Sequence, residues 1–171
     1  ADLAYQAGVP FTVGFEDMGM PGHFQVSTLV FNVTGINWPR VMWETLAVDR
    51  RRGSAATFSA AWGLDNYVRQ YESADSDIAF RGFNMARQQD GQVLLNGLLI
   101  HGVDINGPAT RSAAKEKAYQ EAYRFIEFAR ENIPGFKNAE VKDFAEELYV
   151  RQSRQMKGLY RLTIDDVLEN R

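Results

Sequence analysis

The alternation of apolar and polar positions divides the chain into short strands and a few helices. Phe24 to Thr34 (FQVSTLVFNVT) is the clearest strand pattern of the N-terminal half, with Phe24, Val26 and Val30 on one face and Leu29, Phe31 and Val33 on the other. Apolar residues on both faces predict a strand covered on both sides, inside a sheet. A shorter strand is predicted from Phe11 to Glu16, followed by the Gly/Pro loop Asp17 to His23. IAFRGFNMARQQ and QVLLNGLLI flank Asp90-Gly91, the pattern of a hairpin. A two-residue turn there sets Gln89 opposite Gln92, Arg87 opposite Leu94 and Ala86 opposite Leu95. Further strands are predicted around Val141 to Phe144, Leu148 to Met156 and Leu159 to Leu162.

Helical spacing appears elsewhere. ADLAYQAGVP reads as the tail of a helix stopped at Gly8, with Pro10 two residues on. Asn37, Trp38 and Pro39 open a short helix, Pro being suited to its first position. Ser54 caps a predicted helix to about Glu72, with Phe58, Trp62, Asp65, Val68 and Tyr71 on one side. The longest helix is predicted from Ala109 to about Asn132, ended by Pro134-Gly135; Ala114, Ala118, Ala122, Ile126, Ala129 and Ile133 form a narrow apolar stripe. Lys117–Glu121 and Glu127–Arg130 have the spacing of surface ion pairs on that helix. Thr163 followed by Asp166 resembles a capping box opening a last helix at Ile164. Together these elements predict an α+β fold: a mixed, largely antiparallel sheet packed with helices, one long Ala-rich helix lying over it. The 171 residues fit a single domain.

Composition narrows the function classes. A net charge of −3 and a pI near 5.4 argue against a nucleic-acid or anionic-membrane binder. No apolar run approaches the ~20 residues that span a bilayer. The chain has no cysteine, which excludes disulfides, thiolate metal sites and cysteine nucleophiles and is compatible with a cytoplasmic location. With only His23 and His101, a histidine-rich metal site is not expected. Glycine-rich dinucleotide and Walker loops, G-x-S-x-G and H-E-x-x-H are all absent from the sequence. Arg50, Arg51 and Arg52 form a basic loop that reads as a solvated charge run or a phosphate contact.

The candidate chemistry gathers in Glu147 to Arg171, ELYVRQSRQMKGLYRLTIDDVLENR, where Arg151, Arg154 and Lys157 fall among strand formers and a helix start comes next. An edge strand with arginines in water fits the same pattern. MARQQDGQVLLNGLLIHGVD, a long helix, ENIPGFKNAEV and LYVRQSRQMKGLYRLTIDDVLENR succeed one another in an order that resembles the middle of the FAD-dependent oxidoreductase family of bacterial flavoproteins. The likeness runs from about Phe83 to Arg171, with the VR-x-SR and LT-x-DD elements as its most specific parts. ADLAYQAGVPF resembles the segment just after that family's second flavin-contacting motif, and residues 11–82 match only loosely.

The resemblance implies a substrate or cap domain from which the FAD-binding domain has been cut away at both ends. FAD would then be held mainly by parts absent from this chain, and the partners would be a small-molecule substrate and that missing FAD-binding domain. By the same analogy Arg154 and Gln155 become candidate catalytic residues, with Arg154 also facing the cofactor. Gln155 stands where many relatives carry His or Arg, which weakens an acid/base role. Arg151, Asn96, His101 and Arg87 become candidate substrate contacts, and no metal is expected. A guanidinium forks two donors onto a carboxylate, and positive charge beside a flavin stabilises its anionic reduced form. The alternative is a stand-alone α+β ligand-binding or interaction module without redox chemistry.

Overall fold

The computed structural model describes residues 2–48, 55–57, 59–104 and 106–170. In chain order the elements are helix α1 (Asp2–Gln6), strand β1 (Phe11–Val13), a 3-10 turn (Glu16–Met18), β2 (Ser27–Thr34), α2 (Trp38–Val48), β3 (Ala55–Ala56) and β4 (Ala60–Trp62). Next come α3 (Asp65–Val68), β5 (Ile78–Gln89), β6 (Gln92–Ile100), α4 (Pro108–Asn132), β7 (Glu140–Phe144), β8 (Arg154–Met156) and α5 (Ile164–Leu168). They form two compact units: residues 26–151, and a smaller unit made of residues 1–25 and 152–171. The larger unit is thus an insertion in the sequence of the smaller.

The larger unit is built on a six-stranded sheet of order β3-β4-β5-β6-β2-β7, antiparallel at every pairing. Leu29, Phe31 and Val33 of β2 and Val93, Leu95, Leu98 and Ile100 of β6 form its buried face. The stripe Ala114, Ala118, Ala122, Ile126, Ala129 and Ile133 of α4 is buried throughout, as its spacing predicts. The stripe's small residues let the larger rings interlock. Phe125 of α4 stacks on Phe80 of β5 at 3.8 Å between centroids, and Tyr119 meets Phe144 of β7 at 4.2 Å. β2 lies inside the sheet between β6 and β7, but only its odd-numbered face is fully covered; Val30, Asn32 and Thr34 are half-buried on the open face. The strand starts at Ser27 rather than Phe24, and β1 stops at Val13, whose N–H donates to Glu16 Oε2 (2.8 Å) in the adjoining turn.

Three expectations are corrected. No helix runs from residue 54 to residue 72: Ala55–Ala56 and Ala60–Trp62 are strands, and only Asp65–Val68 is helical. Thr57 Oγ1 accepts from Ala60 N–H (3.0 Å) and turns the chain, and Leu64 takes the left-handed conformation (φ 58°) that a helix excludes. Pairing with β5 then overrides the helical preference of the alanines and buries Ala61. Ser54, Phe58 and the basic loop at Arg50–Arg52 lie outside the described residues. The hairpin register is Gln89 with Gln92, as expected, but then Arg87 with Val93 and Ala86 with Leu94. Gly91 alone of the turn pair has positive φ (69°), so the turn is not the mirror-image form that Asp-Gly favours, and a one-residue irregularity at Gln88 absorbs the twist. Finally, Leu148 to Met156 is not one strand. Tyr149 makes a single bridge to Thr28 of β2, whereas Arg154–Met156 pairs with β1; Leu159 to Leu162 forms no strand.

In the smaller unit β1 and β8 make an antiparallel ribbon, Phe11 opposite Met156 and Val13 opposite Arg154. α1 ends at Gln6 and the chain turns at Gly8 (φ 77°), the predicted stop, and α5 opens with the predicted capping box. Thr163 Oγ1 and N–H both donate to Asp166 Oδ2 (2.6 and 2.7 Å), and Asp166 N–H donates back to Thr163 Oγ1 (3.3 Å).

Candidate functional site

Register decides which predicted residues share a surface. Asn96 pairs with Val30 and Asn84 across the open face of the sheet, and its side chain is exposed. Thr28, two residues from Val30, points to that same face; Arg151 donates to its Oγ1 (3.4 Å) and lies over the Tyr149 ring at 5.9 Å. Asn96 and the Arg151 contact are therefore about two strand steps, roughly 7 Å, apart on one face. Leu94, Leu99 and the partly exposed Trp62 complete that face.

Arg87 and His101 lie toward opposite ends of β6. Arg87 is ion-paired with Asp90 at the hairpin end and pairs in register with Val93 of the buried face. His101 comes after β6 at the opposite end, its N–H bonded to Asp77 O (2.7 Å), beside the first turns of α4. Val93 to His101 is eight strand steps, roughly 27 Å, so no small molecule touches both ends.

Arg154 and Gln155 belong to the smaller unit. Arg154 lies over the Tyr5 ring at 4.3 Å and the Phe11 ring at 6.0 Å. Gln155 pairs with Thr12 and lines a cavity of about 390 Å³ with Asp17, Lys157, Tyr160 and Arg161. Asp17 Oδ2 is bridged to Arg161 at 2.6 Å, while Oδ1 is buried and has no hydrogen-bond partner among the described residues.

The sequence reading missed a second feature of the larger unit. A cleft of about 530 Å³ lies between α3, the polar turn after it and the first half of β5, with Arg69, Arg81 and Asp65 among its walls. It also misplaced Glu121 as a surface partner of Lys117. Glu121 is buried at 2% exposure, where its Oε1 accepts from Tyr71 Oη (2.6 Å) and Ala74 N–H (3.2 Å), and Lys117 instead bridges Asp75 at 2.7 Å. Arg130 likewise donates to Ala139 O (2.5 Å). A glutamate within the apolar stripe, three residues after Ala118, was the available signal for Glu121. Nothing local marks the cleft, which exists only once β5 is paired.

Burial pushes the Tyr71 hydroxyl well above the ordinary phenol range, helped by its hydrogen bond to Glu121. The Lys117 ammonium holds Asp75 below the usual carboxylate range, and the Thr163 hydroxyl does the same for Asp166. Among the described residues no group of three or more acids and histidines could hold a metal, and no helix is long and apolar enough to cross a membrane.

The FAD dependent oxidoreductase family matches the chain over residues 1–171. The chain belongs to this family. Comparison with curated proteins and with solved structures gives no match. Family membership implies flavin-linked redox chemistry, so the described residues must be tested against FAD. Every strand pairing among them is antiparallel, and the sequence has no glycine-rich turn leading from a strand into a helix. A dinucleotide pyrophosphate is ordinarily received by such a turn in a parallel βαβ unit. No such parallel unit occurs among the described residues.

Proposed function

We propose that this chain is the substrate-binding part of an FAD-dependent oxidoreductase acting on a small organic molecule, with FAD held mainly by residues outside it. One observation carries the reading: the two units treat apolar side chains differently. The larger buries most of its own in the layer between sheet and α4, and its exposed ones, Trp43, Leu46, Trp62, Tyr123 and Tyr149, are scattered along the sequence. The smaller leaves Leu159, Tyr160, Leu162, Ile164, Val167 and Leu168 exposed within ten residues, Leu159 completely. An isolated apolar side chain on a surface is ordinary, but a run of this kind is what another folded body covers. In this family that body is the FAD-holding remainder of the enzyme.

The open face of the larger sheet then forms a wall of the substrate pocket. Arg151 supplies a cation and Asn96 an amide on that face, a pair suited to a carboxylate-bearing substrate. Arg154 and Gln155 are placed on the cofactor side by the family likeness of the VR-x-SR element, with Gln155 able to donate or accept but not to exchange a proton at neutral pH. Arg87, tied to Asp90, and His101, at the other end of β6, lie too far from each other to hold one small ligand together.

The test compares two proteins. The 171-residue chain should purify colourless, and the protein with its encoded flanking residues should show flavin absorbance. A flavin-free longer protein overturns the proposal and favours a stand-alone binding module.

A further inference from the structure

We infer that the cleft beside α3 is a binding site for a short extended peptide ending in a free carboxylate. The argument starts from the edge of a strand. β4 pairs with β5 only at Asn84–Ala86, so Ile78–Arg81 has β6 on one side and the cleft on the other. Four consecutive residues, Ile78 to Arg81, line the cleft. Successive strand side chains point to opposite faces, so a cavity touching all four sits at the strand's edge.

The ladder determines which backbone groups meet the cleft. His101 N–H donates to Asp77 O, which makes Asp77 and His101 a hydrogen-bonded pair; Ala79 therefore turns its groups toward β6, and Ile78 and Phe80 turn theirs away. Ile78 N–H is taken by Asp75 O (3.1 Å). The Phe80 N–H and C=O remain on the cleft side, spaced to exchange two hydrogen bonds with one residue of an added strand.

Charge then selects the ligand's end. Arg69 and Arg81 both line the cleft, and among the described residues neither guanidinium has an ion-pair or hydrogen-bond partner. Asp75 is neutralised by Lys117, so among the described residues of the lining two arginines stand against one remaining acid, Asp65. Two planar donors suit a carboxylate, and Asp65 suits an ammonium at the other end of the same ligand. A volume of about 530 Å³ holds a few residues, not a folded partner. The site is separate from the Asn96–Arg151 pair and does not depend on flavin.

The probe is Ala-Ala-Ala with a free C-terminus, titrated calorimetrically into the intact protein beside its C-terminal amide and beside acetate. The free acid should bind at least about tenfold more tightly than the amide, the size of one lost charge-assisted hydrogen bond. Acetate should compete weakly, and N-methylation of the central residue should weaken binding by a similar factor through loss of the strand pairing. Arg69→Gln/Arg81→Gln, two exposed positions, should erase the preference for the acid while the melting temperature and flavin content stay unchanged. Equal binding of acid and amide, no binding in the millimolar range, or acetate competing as well as the peptide would each overturn the inference. So would a double variant that still prefers the acid.

Discussion

Replacing Tyr71 by Phe isolates one hydroxyl that ties the polar turn of the cleft to α4. The ring contacts of Tyr71 with Phe80 (5.6 Å) and Phe125 (5.2 Å) survive the change, and only the 2.6 Å bond to Glu121 is lost. A hydrogen bond to a charged group contributes about 1.5–3 kcal/mol. Because Tyr71 is only half-buried, the lower end applies, about 1.5 kcal/mol after solvent screening. For a chain of this size that is a fall in Tm of roughly 3–6 °C. Glu121→Ala should cost more, because it orphans the Tyr71 hydroxyl and the Ala74 N–H together, at roughly 1–3 kcal/mol for each donor left unpaired. Urea unfolding followed by tryptophan fluorescence suits the test, since Trp38, Trp43 and Trp62 all lie in the larger unit. A double-mutant cycle then extracts the coupling between the two side chains.

The same bond carries a pH signature. The folded state holds the Tyr71 proton more tightly than the unfolded chain does, because burial disfavours the phenolate and the hydrogen bond to Glu121 adds to the effect. The associated stability is therefore intact below the unfolded phenol pKa of ~10 and declines as pH rises toward the folded value. The advantage of the wild type over Tyr71→Phe should shrink above that pH. A Tyr71→Phe protein that melts with the wild type at pH 7, or a gap that widens in alkali, refutes the account.

Three further substitutions probe other elements. Gly35→Ala puts a Cβ 1.8 Å from Asn138 O at φ 73°, so it should cost more than the ~1–3 kcal/mol of a strained backbone alone and be seen as loss of soluble, cooperatively unfolding protein. Ala122→Leu forces an isobutyl group into a fully buried site filled by a methyl, and should lose about 1–3 kcal/mol in the same fluorescence melts. Thr163→Ala removes the capping hydroxyl of α5; at about 1 kcal/mol, it should speed hydrogen exchange at Val167, whose N–H bonds Thr163 O (3.3 Å), without shifting the fluorescence transition.

The parts of this fold legible in the sequence are those written in local spacing. The α4 stripe, the Thr163–Asp166 box, the Gly8 stop and the Asp90-Gly91 turn each depend on residues within a few positions of one another. The features that escaped depend on distant partners. The alanines of residues 55–61 have helical preference, and only the open edge of β5 turns them into strands. The Gln88 irregularity could not be read because Asp-Gly does not say which turn it makes. Glu121 was legible as an intruder in an apolar stripe, but its partners sit 50 and 47 residues away. Of the site, Arg151 and Asn96 were individually visible; that they share a face depends on Thr28 pairing with Leu99 and Val30 with Asn96, a register no local pattern contains.

Arg154 shows why a packed arginine and a functional one are not opposed. Its guanidinium carbon lies over the Tyr5 ring at 4.3 Å and the Phe11 ring at 6.0 Å, where the ring quadrupole attracts the positive charge. Recognition of a carboxylate uses the N–H donors in the guanidinium plane. These ring contacts restrict the side chain's rotamers before any ligand arrives, which lowers the ordering cost of binding. A lysine at this position would keep the charge and lose both the flat face and the fixed fork, which is why the position favours arginine on either reading.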